Sequence, residues 1–180
     1  MRRIRITLLG LSIAALGCDS SGPAAPELVA LRSVANSALT GPFHAHASGA
    51  LTAPFVSGRC PALTTAYTTT GEGVLVGRFV AQHTHCLDPA KPGAFTDGTV
   101  RLTAANGDQL WMTYAGQLVP TGKPGVFGLD NPFGIVGGTG RFADASGGGR
   151  VTGWVDLVQG VSILDLDGII TFDPGARAGS

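Results

Sequence analysis

The segment Gly137-Gly138-Thr139-Gly140-Arg141-Phe142-Ala143-Asp144-Ala145-Ser146-Gly147-Gly148-Gly149 carries six glycines in 13 residues and lies between two β-forming runs. Glycines in this density invite comparison with a dinucleotide-binding loop. There they let the backbone approach a pyrophosphate, and a helix must begin directly after them. Here more glycine follows, then Arg150–Val158, which is rich in β-branched residues. The segment therefore reads as a tight connection between strands, and nucleotide chemistry is set aside.

Strand and turn signals alternate along the chain from Pro42. Strands are expected at Phe43–Leu51, Ala62–Thr70, Val74–Cys86, Gly98–Ala105, Gln109–Val119, Phe133–Val136, Arg150–Val158 and Val161–Phe172. Asn106-Gly107 suits a two-residue type I′ hairpin, because both residues tolerate positive φ. Gly71-Glu72-Gly73 and Gln159-Gly160 mark two further turns. The stretches Leu87–Thr96 and Pro120–Asn131 are punctuated by proline and glycine and read as rims. No alternation of strand with helix supports a parallel sheet, so the expected fold is all-β, a barrel or sandwich of antiparallel strands. In the last strand Leu164, Leu166, Ile170 and Phe172 share one parity, and Asp165, Asp167 and Thr171 share the other, which gives that strand an apolar and a solvated face.

The first residues have the form of an export signal. Arg2, Arg3 and Arg5 precede an apolar run from Ile6 to Leu16, which is too short to span a bilayer as a helix. The run ends at Ala15-Leu16-Gly17-Cys18, which resembles the lipobox of bacterial lipoproteins. That resemblance implies cleavage before Cys18, acylation at Cys18 and stable anchoring by several acyl chains. Residues 1–17 are then the signal peptide. Residues 18–41 form the lipidated N-terminus and a tether, with a short helix over Glu27–Leu39 as one option and an extended lead-in as the other. Residues 42–173 make the β domain and residues 174–180 a C-terminal tail. Losing residues 1–17 removes three of the 12 basic residues and none of the 12 acidic ones, leaving a net charge of −3. With only two lysines, Lys91 and Lys123, no basic stripe exists for nucleic acid. Export also leaves Cys60 and Cys86 in an oxidising compartment, where one disulfide is expected, worth about 3–4 kcal/mol.

The stretch Ile135–Gly147 resembles the Gly-Gly-Thr-Gly-x-Phe-x-x-Ala-x-Gly signature of allene oxide cyclase-like barrels, which dirigent proteins and many bacterial secreted proteins share. Gly137, Gly138, Gly140 and Phe142 carry the match, and the Leu102–Leu110 hairpin and Gly77-Arg78-Phe79 add to it. The resemblance implies an eight-stranded antiparallel up-and-down barrel over roughly residues 42–173, with a central cavity. Plant members cyclise or orient small hydrophobic molecules there. Their catalytic residues match no positions of this chain, so no catalytic residue is assigned. Subunit contacts through apolar strand faces occur in such barrels, which leaves a homo-oligomer open.

The four histidines form two His-x-His pairs, His44/His46 and His83/His85. Residues two apart on a strand point the same way, so each pair presents two imidazoles to one side. If both pairs met in one cavity they would suit zinc, copper or nickel. The plainer reading places them at strand ends as rim polar groups. Trp111, Met112, Tyr114 and Trp154, with Leu164, Leu166 and Phe172, are the cavity candidates, against structural packing as the plainer role. Asp165 and Asp167 read as solvated outer residues rather than an acid–base pair. Asp144 beside Arg141 reads as a local ion pair, and Glu72 as a solvated turn residue. No Gly-x-Ser-x-Gly occurs.

The expected function is a lipid-anchored barrel of the bacterial cell envelope, facing the periplasm or exterior. It is read as non-catalytic, binding a small hydrophobic ligand or a protein partner, without a cofactor. The alternatives are a cyclase- or isomerase-like enzyme acting in the cavity and a metal-binding protein using the histidine pairs.

Overall fold

Period-two alternation needs a surface that hides one face of every strand, and a closed sheet supplies it without leaving an unpaired edge. The computed structural model describes residues 38–175 and shows that solution. Strands β1 (Leu39–Ala50), β2 (Leu63–Gly73), β3 (Gly77–Leu87), β4 (Ala94–Ala104), β5 (Gln109–Pro120), β6 (Val126–Gly138), β7 (Ser146–Asp156) and β8 (Val161–Phe172) form one closed barrel. Each strand pairs antiparallel with its sequence neighbours, and β8 returns to β1 from Leu39↔Phe172 to Ala50↔Val161. Residues 39–41 of the expected lipidated tether belong instead to β1, whereas the signal-like segment, residues 18–37 of that tether (Cys18 included) and the C-terminal residues 176–180 lie outside the described residues. So does the optional helix over Glu27–Leu39, except that Leu39 itself opens β1 in extended conformation.

Several strands are longer than their sequence signals. β4 already starts at Ala94; its sequence signal begins only at Gly98 because a bulge between Phe95 and Gly98, with Asp97 at φ +51°, interrupts the alternation by which a strand is recognised. β5 and β6 run through most of the presumed Pro120–Asn131 rim, leaving only residues 121–125 as the connection. Within β6, Pro132 has no N–H to offer, and pairing to β5 lapses between Tyr114↔Phe133 and Leu118↔Leu129. The Asn131 side chain fills that gap. Its Oδ1 accepts from Gln117 N at 3.0 Å and its Nδ2 donates to Gln117 O at 3.3 Å.

Two turns differ from expectation. Gly71-Glu72-Gly73 belongs to β2, because a bare Cα at Gly71 is what lets the Phe79 ring and the β1 backbone come close; a Cβ there would sit 2.1 Å from His46 O. The chain reverses instead through Val74–Val76, with Leu75 at φ +71°. At Asn106-Gly107 only Gly107 takes positive φ (+91°). Ala104 N donates to Asp108 O and Gly107 N to Ala104 O, so the loop has three residues, Ala105–Gly107, and is not type I′. The expected turn at Gln159-Gly160 is present, held by Asp156 Oδ1, which accepts from Val158 N and Gln159 N at 2.9 Å each.

The two barrel ends differ. The β2–β3, β4–β5 and β6–β7 connections meet at one end, where the glycine-rich segment forms a single 3₁₀ turn, Gly140–Phe142, between β6 and β7. Phe142 is fully buried there and packs on Phe172 with ring centroids 5.5 Å apart. Phe43, Leu102, Leu110 and Ile170 fill the adjoining part of the interior. The other end, where β1–β2, β3–β4, β5–β6 and β7–β8 connect, is not filled.

Candidate binding cavity

A cavity of about 870 Å³ occupies the unfilled part of the lumen. Its mouth is framed by Leu51–Pro54, Pro92, Leu118, Pro120 and Leu157, all at the ends of strands or in the connections of the open end. The long β1–β2 connection is pinned beside this mouth by a Cys60–Cys86 disulfide, as the cysteine count implied. Arg59 adjoins the bond: its Nη1 donates to Cys86 Sγ at 3.7 Å, and its Nη2 donates to the Asp97 carbonyl exposed by the β4 bulge.

The lumen has two chemically distinct walls. Leu129 of β6, Val151 and Val155 of β7, and Leu164 and Leu166 of β8 make an apolar side. Across from them, β2, β3 and β5 contribute Tyr67, His83, His85 and Tyr114. Tyr67 and His83 are register partners across β2 and β3, which brings their rings into a stack at 4.5 Å and 6°. His85, two residues on, faces the same way, and its Nδ1 lies 2.8 Å from Tyr114 Oη. His83 Nε2 lies 2.9 Å from Thr69 Oγ1. Gly98 makes room for the Tyr114 ring, since a Cβ at that position would stand 2.7 Å from it. Phe95 closes the cluster, 5.0 Å from His85 and 5.7 Å from Tyr114.

Burial dominates the electrostatics of this cluster. Desolvation, and then the neighbouring His85, push His83 down to about 3. Desolvation and then the Arg59 cation push His85 down to about 4. Burial drives Tyr67 up to about 12 against the hydrogen bond from Tyr114, and it drives Tyr114 well above the usual phenol range. All four groups are therefore uncharged at neutral pH. Among the described residues, no Asp, Glu, Lys or Arg lines the cavity.

The two histidine pairs do not meet. His44 and His46 share the outer face of β1 and pair with Asp167 at 2.5 Å and Asp165 at 2.7 Å across the β1–β8 ladder. His83 and His85 point into the lumen. A shared four-histidine metal site is thus ruled out by orientation, and among the described residues no group of three or more His, Cys, Asp or Glu is placed to hold a metal ion. The rim position expected for His83 is also corrected: it is buried in the wall.

Of the cavity candidates, Met112, Tyr114, Leu164 and Leu166 line the lumen. Trp111 and Trp154 do not. Both lie on the outer face, with 39% and 38% of their surface exposed. Phe172 is interior but belongs to the packed closed end. Arg141 pairs with Asp108 at 3.5 Å rather than with Asp144. Tyr67 is the cluster residue absent from the sequence-based candidates, whereas His83 and His85 figure there only as metal ligands or rim groups. Strand parity was the available signal.

No protein-family model matches the chain, and no curated protein matches it. Among solved structures, a pterocarpan synthase dirigent protein has a similar fold, with a TM-score of 0.51 and 16% identity over 80% of this chain and 89% of that one. The fold is thus a dirigent-like, eight-stranded antiparallel barrel.

Proposed function

We propose that the barrel binds a small, largely apolar molecule in its lumen without transforming it. The observation that carries this is the cavity itself. At about 870 Å³ it is of a size that takes small ligands, it is open at one end, and its wall is mostly apolar with one polar cluster. The ionisable groups favour holding over proton transfer. Efficient general acid–base groups titrate near the working pH, whereas His85 is pushed down to about 4 and both tyrosines are pushed far up. The rival reading, a cyclase- or isomerase-like enzyme, draws on the His85–Tyr114 hydrogen bond and on a structural neighbour named a synthase. Titration with the neutral dye Nile red tests the binding role. Saturable binding is expected, weakened about tenfold or more by Leu129→Trp, which fills the apolar wall. Equal dye binding by a folded Leu129→Trp protein refutes it.

We further propose that the chain is exported and anchored in the bacterial envelope through lipid on Cys18. The support is the Arg-apolar-Gly-Cys pattern of residues 2–18 together with the Cys60–Cys86 bond, which suits an oxidising compartment. Intact-mass analysis of the membrane fraction should find acylated Cys18 at the N-terminus. An unmodified Cys18 refutes the anchor.

A further inference from the structure

We infer that the lumen selects an uncharged ligand ending in a hydroxyl group, which docks on the Tyr67–His83–His85–Tyr114 cluster, and rejects the same skeleton when that end is ionised. The inference rests on the binding role proposed above and specifies the ligand's chemistry.

Three observations support it. First, among the described residues no charged side chain lines the cavity, so an ionised end would lose its water with no counter-charge at the wall in return. Arg59, whose charge reaches His85, does not itself line the cavity. It lines a groove on the outer surface, where the Asp97 carbonyl and Cys86 sulfur already engage it. Second, each imidazole spends one nitrogen on the protein, His83 Nε2 on Thr69 and His85 Nδ1 on Tyr114. His83 Nδ1 and His85 Nε2 have no partner among the described residues, yet neither is a sealed-off polar atom. They are hydrogen-bonding positions left to the cavity. Third, these nitrogens belong to neutral rings, each a donor or an acceptor according to its tautomer. A hydroxyl both donates and accepts, so it satisfies either tautomer. A carboxylate only accepts and an ammonium only donates, and each brings an uncompensated charge. The facing wall of Leu129, Val155, Leu164 and Leu166 then receives the apolar body.

The test uses the full chain with its disulfide intact and displaces bound Nile red with 1-decanol, decanoate or decylammonium near neutral pH, where both acid and amine are ionised. Decanol is expected to displace the dye at a concentration about tenfold or more below either ion. In Tyr114→Phe and in His85→Leu, decanol itself should need a concentration about threefold or more higher to displace the dye, while both ions stay excluded. Decanoate or decylammonium competing as well as decanol overturns the inference, and so does decanol displacement unchanged in both folded variants. If Nile red does not bind the wild-type protein at all, the binding role itself fails and the inference with it.

Discussion

His83 illustrates what a buried residue does to the whole stability curve. Its ring is stacked on Tyr67 and hydrogen-bonded to Thr69, and burial holds it neutral down to about pH 3. In the unfolded chain the same ring takes a proton below about pH 6.5. Acid therefore favours the unfolded state: the contribution is fully present above about pH 6.5 and is lost as pH falls toward 3 for His83 and toward 4 for His85. His83 should account for about 1.4 kcal/mol per pH unit in that window, and His85, nearer to water, for less. Urea unfolding at a series of pH values should show this decline, and His83→Gln should make it shallower. A decline equally steep in His83→Gln contradicts the assignment. At this scale the two His-x-His pairs are identical motifs with opposite fates. His44 and His46 alternate with Phe43, Ala45 and Ala47, which take the interior, so the histidines face solvent. His83 and His85 share the parity of Phe79 and Ala81, and so follow them inside. The distinction was legible from parity, not from the motif. The tryptophans carry the same lesson. Trp111 sits out of phase with Met112, and Trp154 with Val155, so size and aromaticity pointed inward while position pointed outward.

Among the elements, the β6–β7 connection does most to decide the shape of the cavity, because it seals one end. Its glycines have distinct tasks. A Cβ at Gly138 would lie 2.0 Å from Gln109 O, so only glycine lets the connection lie against β5. Gly140 turns with φ +58°, and a Cβ there would meet Asp108. Together they deliver Phe142 into the barrel end, where it has no exposed surface. Phe142→Ala should lower unfolding free energy by about 3–5 kcal/mol, read from a urea titration, with Phe142→Leu recovering part of the loss. A change below about 1 kcal/mol for the alanine variant would show that the end repacks freely. That this segment joins strands was legible, since no helical pattern follows it. The full lengths of β4 and β6 were not. A bulge at Asp97, and Pro132 within β6, break the alternation on which recognition depends; pairing to β7 carries β6 across Pro132, and β4 resumes pairing on either side of Asp97.

For the molecule as a whole, closure converts eight two-faced strands into one lumen. Large side chains pack one half, and the other half, between Leu129–Leu166 on one wall and Tyr67–Tyr114 on the other, is left open to the mouth. The disulfide fastens the long β1–β2 connection beside that mouth, and closing its loop restricts the unfolded chain by about 3–4 kcal/mol in the chain-entropy description. The amino-acid sequence by itself determined the all-β class, the antiparallel order, the lack of a nucleotide loop and the pairing of Cys60 with Cys86. These follow from local periodicity, turn chemistry and residue counts, which need no knowledge of distant neighbours. Only the tertiary structure decided which histidines meet tyrosines, which end is sealed and how much space remains. Those depend on register between strands far apart in the chain, and on whether side chains from opposite walls reach far enough to touch.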